Sequence, residues 1–354
     1  MRIGIPREIK TLEGRVGLIP AACGELVRHG HELLIERGAG ELSGYNDEHY
    51  RRLGVEVLPD AASVYGGAEL IIKVKEPIEG DLALLRREHR LFCYLHLAAN
   101  RPLADRLCAI GLTAVAFETV TEGVGLPLLA PMSDIAGRLA VQIGAHLLQR
   151  PQGGKGLLLG GLPAAERGRV VVLGAGVAGG SATAVAAALG AEVIVFDLKR
   201  ERLERMRALG NNVTALHPYA DSLDHAVREA DLLIGATLLP GRRAQHLVSA
   251  AQVREMMPGS VIVDIAVDQG GCIATTRPTT YADPTYVMDG VLHFAVTNMP
   301  GAVPRTASQA LSAAILPYAL QLAGADWQGN DGLAAGLNVQ GGELVHPALR
   351  EEFR

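Results

Sequence analysis

Arg169-Val-Val-Val-Leu-Gly174-Ala-Gly176-Val-Ala-Gly179 runs from a β-branched apolar segment into three glycines spaced G-x-G-x-x-G, and an alanine-rich helical pattern (Ser181 to Leu189) follows. Gly174 suits a tight turn out of a strand. A side chain at Gly176 would hold the backbone away from a pyrophosphate, and Gly179 lets the helix pack closely on the sheet. Phosphates would then sit on N–H groups at a helix start. A second apolar run, Glu192-Val-Ile-Val-Phe196, ends at Asp197, eighteen residues past Gly179. An acid there can accept hydrogen bonds from a ribose 2′-OH and would repel a 2′-phosphate. Strand, glycines, helix, strand and acid in this order predict a dinucleotide site that prefers NAD. The plainer alternative is a glycine-rich turn in an α/β domain.

At 354 residues the chain exceeds the size at which single cores stop growing, so two domains are expected. Hydrophobic content of 49% with 20% charged residues fits a well-buried globular protein. A net charge of −5 leaves no basic footprint, and 4% aromatic residues give little to stack bases on, so nucleic acid is not an expected partner. Cys23, Cys93, Cys108 and Cys272 lie far apart with no C-x-x-C pair, which suits reduced thiols in cytoplasm. The start, Met-Arg-Ile-Gly-Ile-Pro-Arg-Glu, has charges where a signal peptide is apolar. No apolar run is long enough to span a bilayer. The expectation is a soluble cytoplasmic protein without a membrane partner.

Outward from the glycine turn, the first third alternates strand and helix patterns. Strands are expected at 3–5, 16–19, 31–35, 55–58, 70–75, 91–96 and 112–117, with helical stretches at 21–29, 47–53, near 80–89 and 100–110. This alternation indicates a parallel, doubly wound sheet. Lys75, His96 and Glu118 each stand at or just past the C-terminal end of an apolar run, the edge at which open α/β sheets bind ligands. Three such residues on successive strands read as a site lining. The alternatives are a core histidine bonded to a carbonyl and a solvated lysine before Pro77.

Residues 123–132 are rich in Gly and Pro and read as a linker, after which Ser133 reads as the N-cap of a helix from Asp134 to Leu148. Downstream, 199–208 reads as a charged helix, 230–237 as a buried strand, and 261–267 as another strand that exits through Asp268-Gln-Gly-Gly271. That exit leaves Asp268 at the carboxyl edge, or else capping a turn, while Asp264 inside the strand reads as structural. Phe294-Ala-Val-Thr297-Asn298-Met299 is an apolar run with a polar end. A helix from Thr306 to Ala323, kinked at Pro317, carries the chain back to the N-terminal domain. Residues 329–342 read as a loop. The expected architecture is α/β, with two Rossmann-like doubly wound domains. The N-terminal one (1–128) is completed by 306–354, and 129–305 form the nucleotide domain.

Taken together, these blocks resemble the alanine dehydrogenase and transhydrogenase α-subunit family nearly end to end. They include Met1-Arg-Ile-Gly-Ile-Pro-Arg-Glu, Arg15-Val-Gly-Leu-Ile-Pro20, Lys73-Val-Lys-Glu-Pro77, Leu95-His-Leu-Ala98, Leu128-Leu-Ala-Pro-Met-Ser133, Asp264-Ile-Ala-Val-Asp-Gln-Gly-Gly-Cys272, Arg277-Pro-Thr-Thr280 and Asn298-Met-Pro. The resemblance implies NAD-dependent, reversible conversion of L-alanine to pyruvate and ammonium. It implies that Arg15 and Lys75 bind the substrate, that His96 is the acid/base group, and that Asp268 serves the chemistry from the cofactor side. It further implies cofactor contacts at Ser133, Gly174, Gly176, Val177, Ala178, Gly179, Asp197, Arg202, Leu238, Leu239, Ile265, Ala266, Val267, Arg277, Thr297, Asn298 and Met299. A homohexamer is implied as well. A family histidine that ligates metal has no counterpart around Gly324, so no metal is expected.

The chemistry suits these residue types. The planar fork of Arg15 matches a carboxylate. Lys75 offers a compact charge near the carbonyl oxygen. An imidazole such as that of His96 trades protons near neutrality. Because the two groups of residues fall on different domains, a hinge is expected at 123–132 and near 300–306. Two other readings stay open at this point: a hydride-passing transhydrogenase subunit and a non-catalytic NAD-sensing protein. The non-catalytic reading predicts no absorbance change at 340 nm with alanine and NAD⁺. The complete set Arg15, Lys75, His96 and Asp268 favours the dehydrogenase over the transhydrogenase subunit, which needs no amino-acid pocket.

Overall fold

The computed structural model describes residues 1–237 and 246–353, with Asp268 and Gln269 described in backbone only. Two compact units result, Met1–Met132 with Gly301–Arg354, and Ser133–Pro300.

The first unit holds β1 (Arg2–Ile5), β2 (Glu32–Glu36), β3 (Glu56–Leu58), β4 (Leu70–Ile72), β5 (Arg90–Cys93) and β6 (Thr113–Ala116). The second holds β7 (Arg169–Leu173), β8 (Glu192–Phe196), β9 (Val213–Leu216), β10 (Leu232–Gly235), β11 (Val261–Asp264), β12 (Thr285–Met288) and β13 (Val291–Phe294). The chain then returns to the first unit with β14 (Leu337–Gln340) and β15 (Glu343–Leu344).

Strand order in the first sheet is β15-β14-β6-β5-β4-β1-β2-β3, and in the second β12-β13-β11-β10-β7-β8-β9. Six strands of the first and six of the second are mutually parallel. β14, β15 and β12 supply the antiparallel pairings at the edges. Each sheet therefore reverses its winding once, between β1 and β4 and between β7 and β10. At such reversals the carboxyl ends of the strands leave a crevice. The central parallel strands, β4, β7, β10 and β11, are buried along nearly all their length because both faces are covered. Val170 and Val172 feed one core of the second unit, and Val171 and Leu173 feed the other.

Several expected elements differ. Val16–Ile19 is buried but is not a strand: the Val16 and Ile19 N–H groups donate to the Ser308 and Ser312 hydroxyls at 3.0 and 2.9 Å, so side chains of the helix Pro304–Leu322 replace a ladder. The runs at 70–75, 91–96 and 261–267 stop being strands at Ile72, Cys93 and Asp264. Residues 329–342 are not all loop, since β14 lies among them. The long helix spans Ala130–Leu147, so Ser133 sits inside it rather than capping it. Pro131, tolerated in a first turn where an N–H has no helical partner anyway, marks the true start.

Candidate functional site

In the second unit the glycine turn connects β7 to the helix Val177–Ala188. Gly174 has φ +96°, a left-handed conformation that favours glycine. A Cβ on Gly179 would lie 1.7 Å from the Gly174 carbonyl oxygen, so this helix can approach the strand only without a side chain there. A Cβ on Gly176 would meet open space, with Arg202 Nη1 at 3.9 Å its nearest neighbour. No side chain caps the helix start, leaving Val177 and Ala178 at an N-terminus built for an anion. The Ser181 hydroxyl donates to Asp134 at 2.6 Å, which ties this helix to the one that carries Ser133.

Asp197, at the end of β8, is nearly buried. Its carboxylate accepts the Ala175 and Lys199 N–H groups, both at 2.8 Å, and pairs with Arg202 at 3.2 Å. Burial pushes its pKa up, but the two N–H groups and Arg202 outweigh that and hold it below the ordinary carboxylate value. With about four lone-pair positions on a carboxylate, room remains for a ribose hydroxyl. Asp197 thus also pins the glycine turn. The open approach over Gly176, the uncapped helix and the ionised acid fit a dinucleotide.

Ile265, Ala266 and Val267 lie in a 3-10 turn, Ile265–Gln269, directly after β11. Asp264 builds that turn: it accepts the Ala266 N–H (3.0 Å), the Cys272 N–H (3.1 Å) and the Thr276 hydroxyl (2.7 Å). The backbone places Asp268 in the same turn. Arg277 is exposed and stacks on Tyr286. Thr297 precedes Asn298, which has φ +65°, and Met299 is buried in the next 3-10 turn. Leu238 and Leu239 lie outside the described residues.

In the first unit, Arg15 follows β1, Lys75 follows β4 and His96 follows β5, three neighbouring strands at the winding reversal. Arg15 is 2% exposed. Its Nε and Nη2 donate to the two Glu13 oxygens at 2.6 and 2.5 Å, and its Nη1 lies 3.2 Å from Met132 Sδ. The fork expected to face a substrate carboxylate is therefore turned on Glu13 along one edge. Lys75 lies beside Glu76, at 3.9 Å, and Glu76 in turn pairs with Lys10. The segment leading to it is fixed from below. Glu8 accepts the Val74 N–H at 2.7 Å, and buried Lys73 pairs with Glu8 and Asp81 at 3.4 and 3.2 Å. Burial pulls the Lys73 ammonium down, yet those two carboxylates prevail and keep it charged.

His96 is exposed and sits at φ +51°, ψ +37°, a left-handed backbone that costs a non-glycine residue about 1–2 kcal/mol. Glu118 holds it there. Its carboxylate accepts the His96 N–H at 2.6 Å and the Leu95 N–H at 3.2 Å, so Glu118 serves as an anchor for backbone. The His96 ring stacks on Tyr94 (5.7 Å, 6°), whose hydroxyl donates to the Leu128 carbonyl at 2.5 Å. Glu13 and Tyr94 were not singled out in the sequence. Glu13, two residues before Arg15, was the one available signal.

Two α/β units with sheet reversals, one bearing a dinucleotide-type glycine turn and the other placing Arg15, Lys75 and His96 after neighbouring strands, define a Rossmann-like two-unit class. The chain belongs to the alanine dehydrogenase/PNT family: the model of its N-terminal domain matches residues 4–136 and that of its C-terminal domain residues 140–347. It is 49% identical to an alanine dehydrogenase of Halomonas elongata, covering 100% of this chain and 97% of the relative. A solved L-alanine dehydrogenase superposes with a TM-score of 0.96 at 50% identity, over 100% of this chain and 99% of that one. A transhydrogenase from Sinorhizobium meliloti superposes at 0.85 with 26% identity, over 98% and 100%.

Proposed function

We propose that this chain is an NAD-dependent alanine dehydrogenase, converting L-alanine, water and NAD⁺ to pyruvate, ammonium, NADH and a proton, reversibly. The observation that carries the reading is the graded likeness: 49–50% identity to alanine dehydrogenases against 26% to a transhydrogenase, over essentially the whole chain in each case. NAD supplies the hydride acceptor when bound. Gly174, Gly176, Gly179 and the helix start at Val177 and Ala178 hold its phosphates, and Asp197 takes a ribose hydroxyl. Ser133, Arg202, Leu238, Leu239, Ile265, Ala266, Val267, Arg277, Thr297, Asn298 and Met299 complete its contacts.

Arg15 supplies charge for the substrate carboxylate in an orientation that Glu13 fixes. Lys75 stabilises the oxygen that becomes the ketone. His96 accepts the proton released as the carbinolamine O–H becomes that carbonyl, and returns it in the reverse direction. Asp268 orients the attacking water and the departing ammonium. The strained backbone of His96 supports this role, since such strain concentrates where a side chain must be aimed. No described helix is long and apolar enough to cross a membrane. A homohexamer working in the cytoplasm completes the proposal. Sedimentation at six times the 37.3 kDa chain mass is the expected result.

The test is His96→Ala. Turnover of alanine falls by about 10²–10⁴, while NADH still binds with its parental Kd by fluorescence titration. Loss of NADH binding together with activity contradicts the assigned role. Rates with alanine, serine and glyoxylate, each against both dinucleotides, set the substrate and cofactor preference.

A further inference from the structure

At the edge of the second sheet β13, itself parallel to β11, turns into an antiparallel hairpin with β12, and the two strands carry a facing pair of rings. Tyr286 on β12 stands directly opposite His293 on β13. Their rings stack at 4.9 Å and 16°. The Arg277 guanidinium also lies over the Tyr286 ring, 4.3 Å from its centroid. The Tyr286 hydroxyl donates to the Thr275 carbonyl at 2.8 Å and accepts the Arg277 N–H at 3.0 Å.

His293 is fully buried and its tautomer follows from its partners. The Val291 carbonyl, 3.0 Å from Nδ1, can only accept, so Nδ1 carries the proton. Nε2 then accepts from the Thr275 hydroxyl at 2.8 Å. A neutral imidazole fixed at both nitrogens is a rigid stacking partner for the Tyr286 ring. Both ends of the loop segment 275–277 are thus bonded to this one hairpin pair.

We propose that the hairpin is a platform that holds Arg277 toward the dinucleotide, with Tyr286 as the positioning residue. This rests on the reading that Arg277 contacts the cofactor. An arginine with several rotatable bonds loses less freedom on binding if an aromatic face already holds it. Tyr286 therefore acts on dinucleotide affinity through Arg277, without touching the ligand.

The experiment is a double-mutant cycle on the full chain, read as NADH Kd by fluorescence titration. Tyr286→Leu weakens NADH binding about three- to tenfold, the span expected of one cation–π contact. Tyr286→Phe keeps the ring and stays within about twofold of the parent. Arg277→Ala weakens binding, and adding Tyr286→Leu to it brings no further loss. If Tyr286→Leu costs the same factor with Arg277 present or absent, its effect does not run through Arg277 and the inference is overturned. If Arg277→Ala alone leaves Kd unchanged, the cofactor reading of Arg277 fails and takes the inference with it. Should the Leu variant fold poorly, Tyr286→Phe still decides. A loss of NADH affinity as large as that of Arg277→Ala would place the effect in the hydroxyl and overturn the role given to the ring, and a Kd within about twofold supports it.

Discussion

Arg15 is charged, buried and bonded before any substrate arrives, and this makes Glu13 as consequential as Arg15 itself. Both side chains are 2% exposed or less. Removing one partner of a buried ion pair strands the other, typically at about 3–5 kcal/mol. Glu13→Ala is therefore expected to lower the unfolding free energy by an amount in that range, read from urea denaturation. It should also raise the KM for pyruvate, because the guanidinium loses its fixed orientation. An unchanged KM would mean that Glu13 supports the fold alone. The same residues show what a sequence makes legible. Lys75 and His96 can be found because a polar residue ending an apolar run stands out. Glu118 stands out by the same signal, but its role as the acceptor of the His96 N–H, 22 positions away, does not, and Glu8, which reaches Val74 across 66 positions, gives no signal at all. Those contacts exist only once the sheet has formed.

At the scale of elements, the glycine turn is the strictest local requirement. The 1.7 Å approach between a Gly179 Cβ and the Gly174 carbonyl leaves no rotamer to relax, since the obstacle is backbone. Gly179→Ala must push the helix Val177–Ala188 off the sheet. We expect weakened NADH binding and a lowered melting temperature together, by fluorescence titration and calorimetry on one sample. A variant that binds NADH normally would show that the helix tolerates the shift. This turn was legible because every one of its constraints is local. β12 and β14 were not, because edge strands are half-solvated and mix polar with apolar residues, as in Leu337-Asn-Val-Gln340. The Val16–Ile19 segment misled for the opposite reason. It is apolar and largely buried like a strand, but serines 292 and 293 positions away take the Val16 and Ile19 N–H groups.

At the scale of the whole molecule, each unit buries a histidine in neutral form, His89 in the first and His293 in the second. His89 Nδ1 accepts the Arg86 N–H at 3.0 Å, and its Nε2 lies 3.0 Å from the Tyr65 carbonyl, so it too has one nitrogen that must stay unprotonated. Burial lowers the pKa of both below the ordinary histidine value. In the unfolded chain these imidazoles titrate near about 6.5. As pH falls through that value the unfolded state takes up protons that the folded state refuses. Stability is therefore fully present above about pH 6.5 and declines below it, by up to about 1.4 kcal/mol per pH unit for each histidine. Because the two lie in different units, neither unit should be spared. Denaturant midpoints compared at pH 7.5, 6.5 and 5.5 should fall less steeply in a His89→Gln, His293→Gln double variant than in the parent. Equal slopes would assign the acid sensitivity to other groups, and a flattened slope in only one of the two single variants, His89→Gln or His293→Gln, would assign it to one unit.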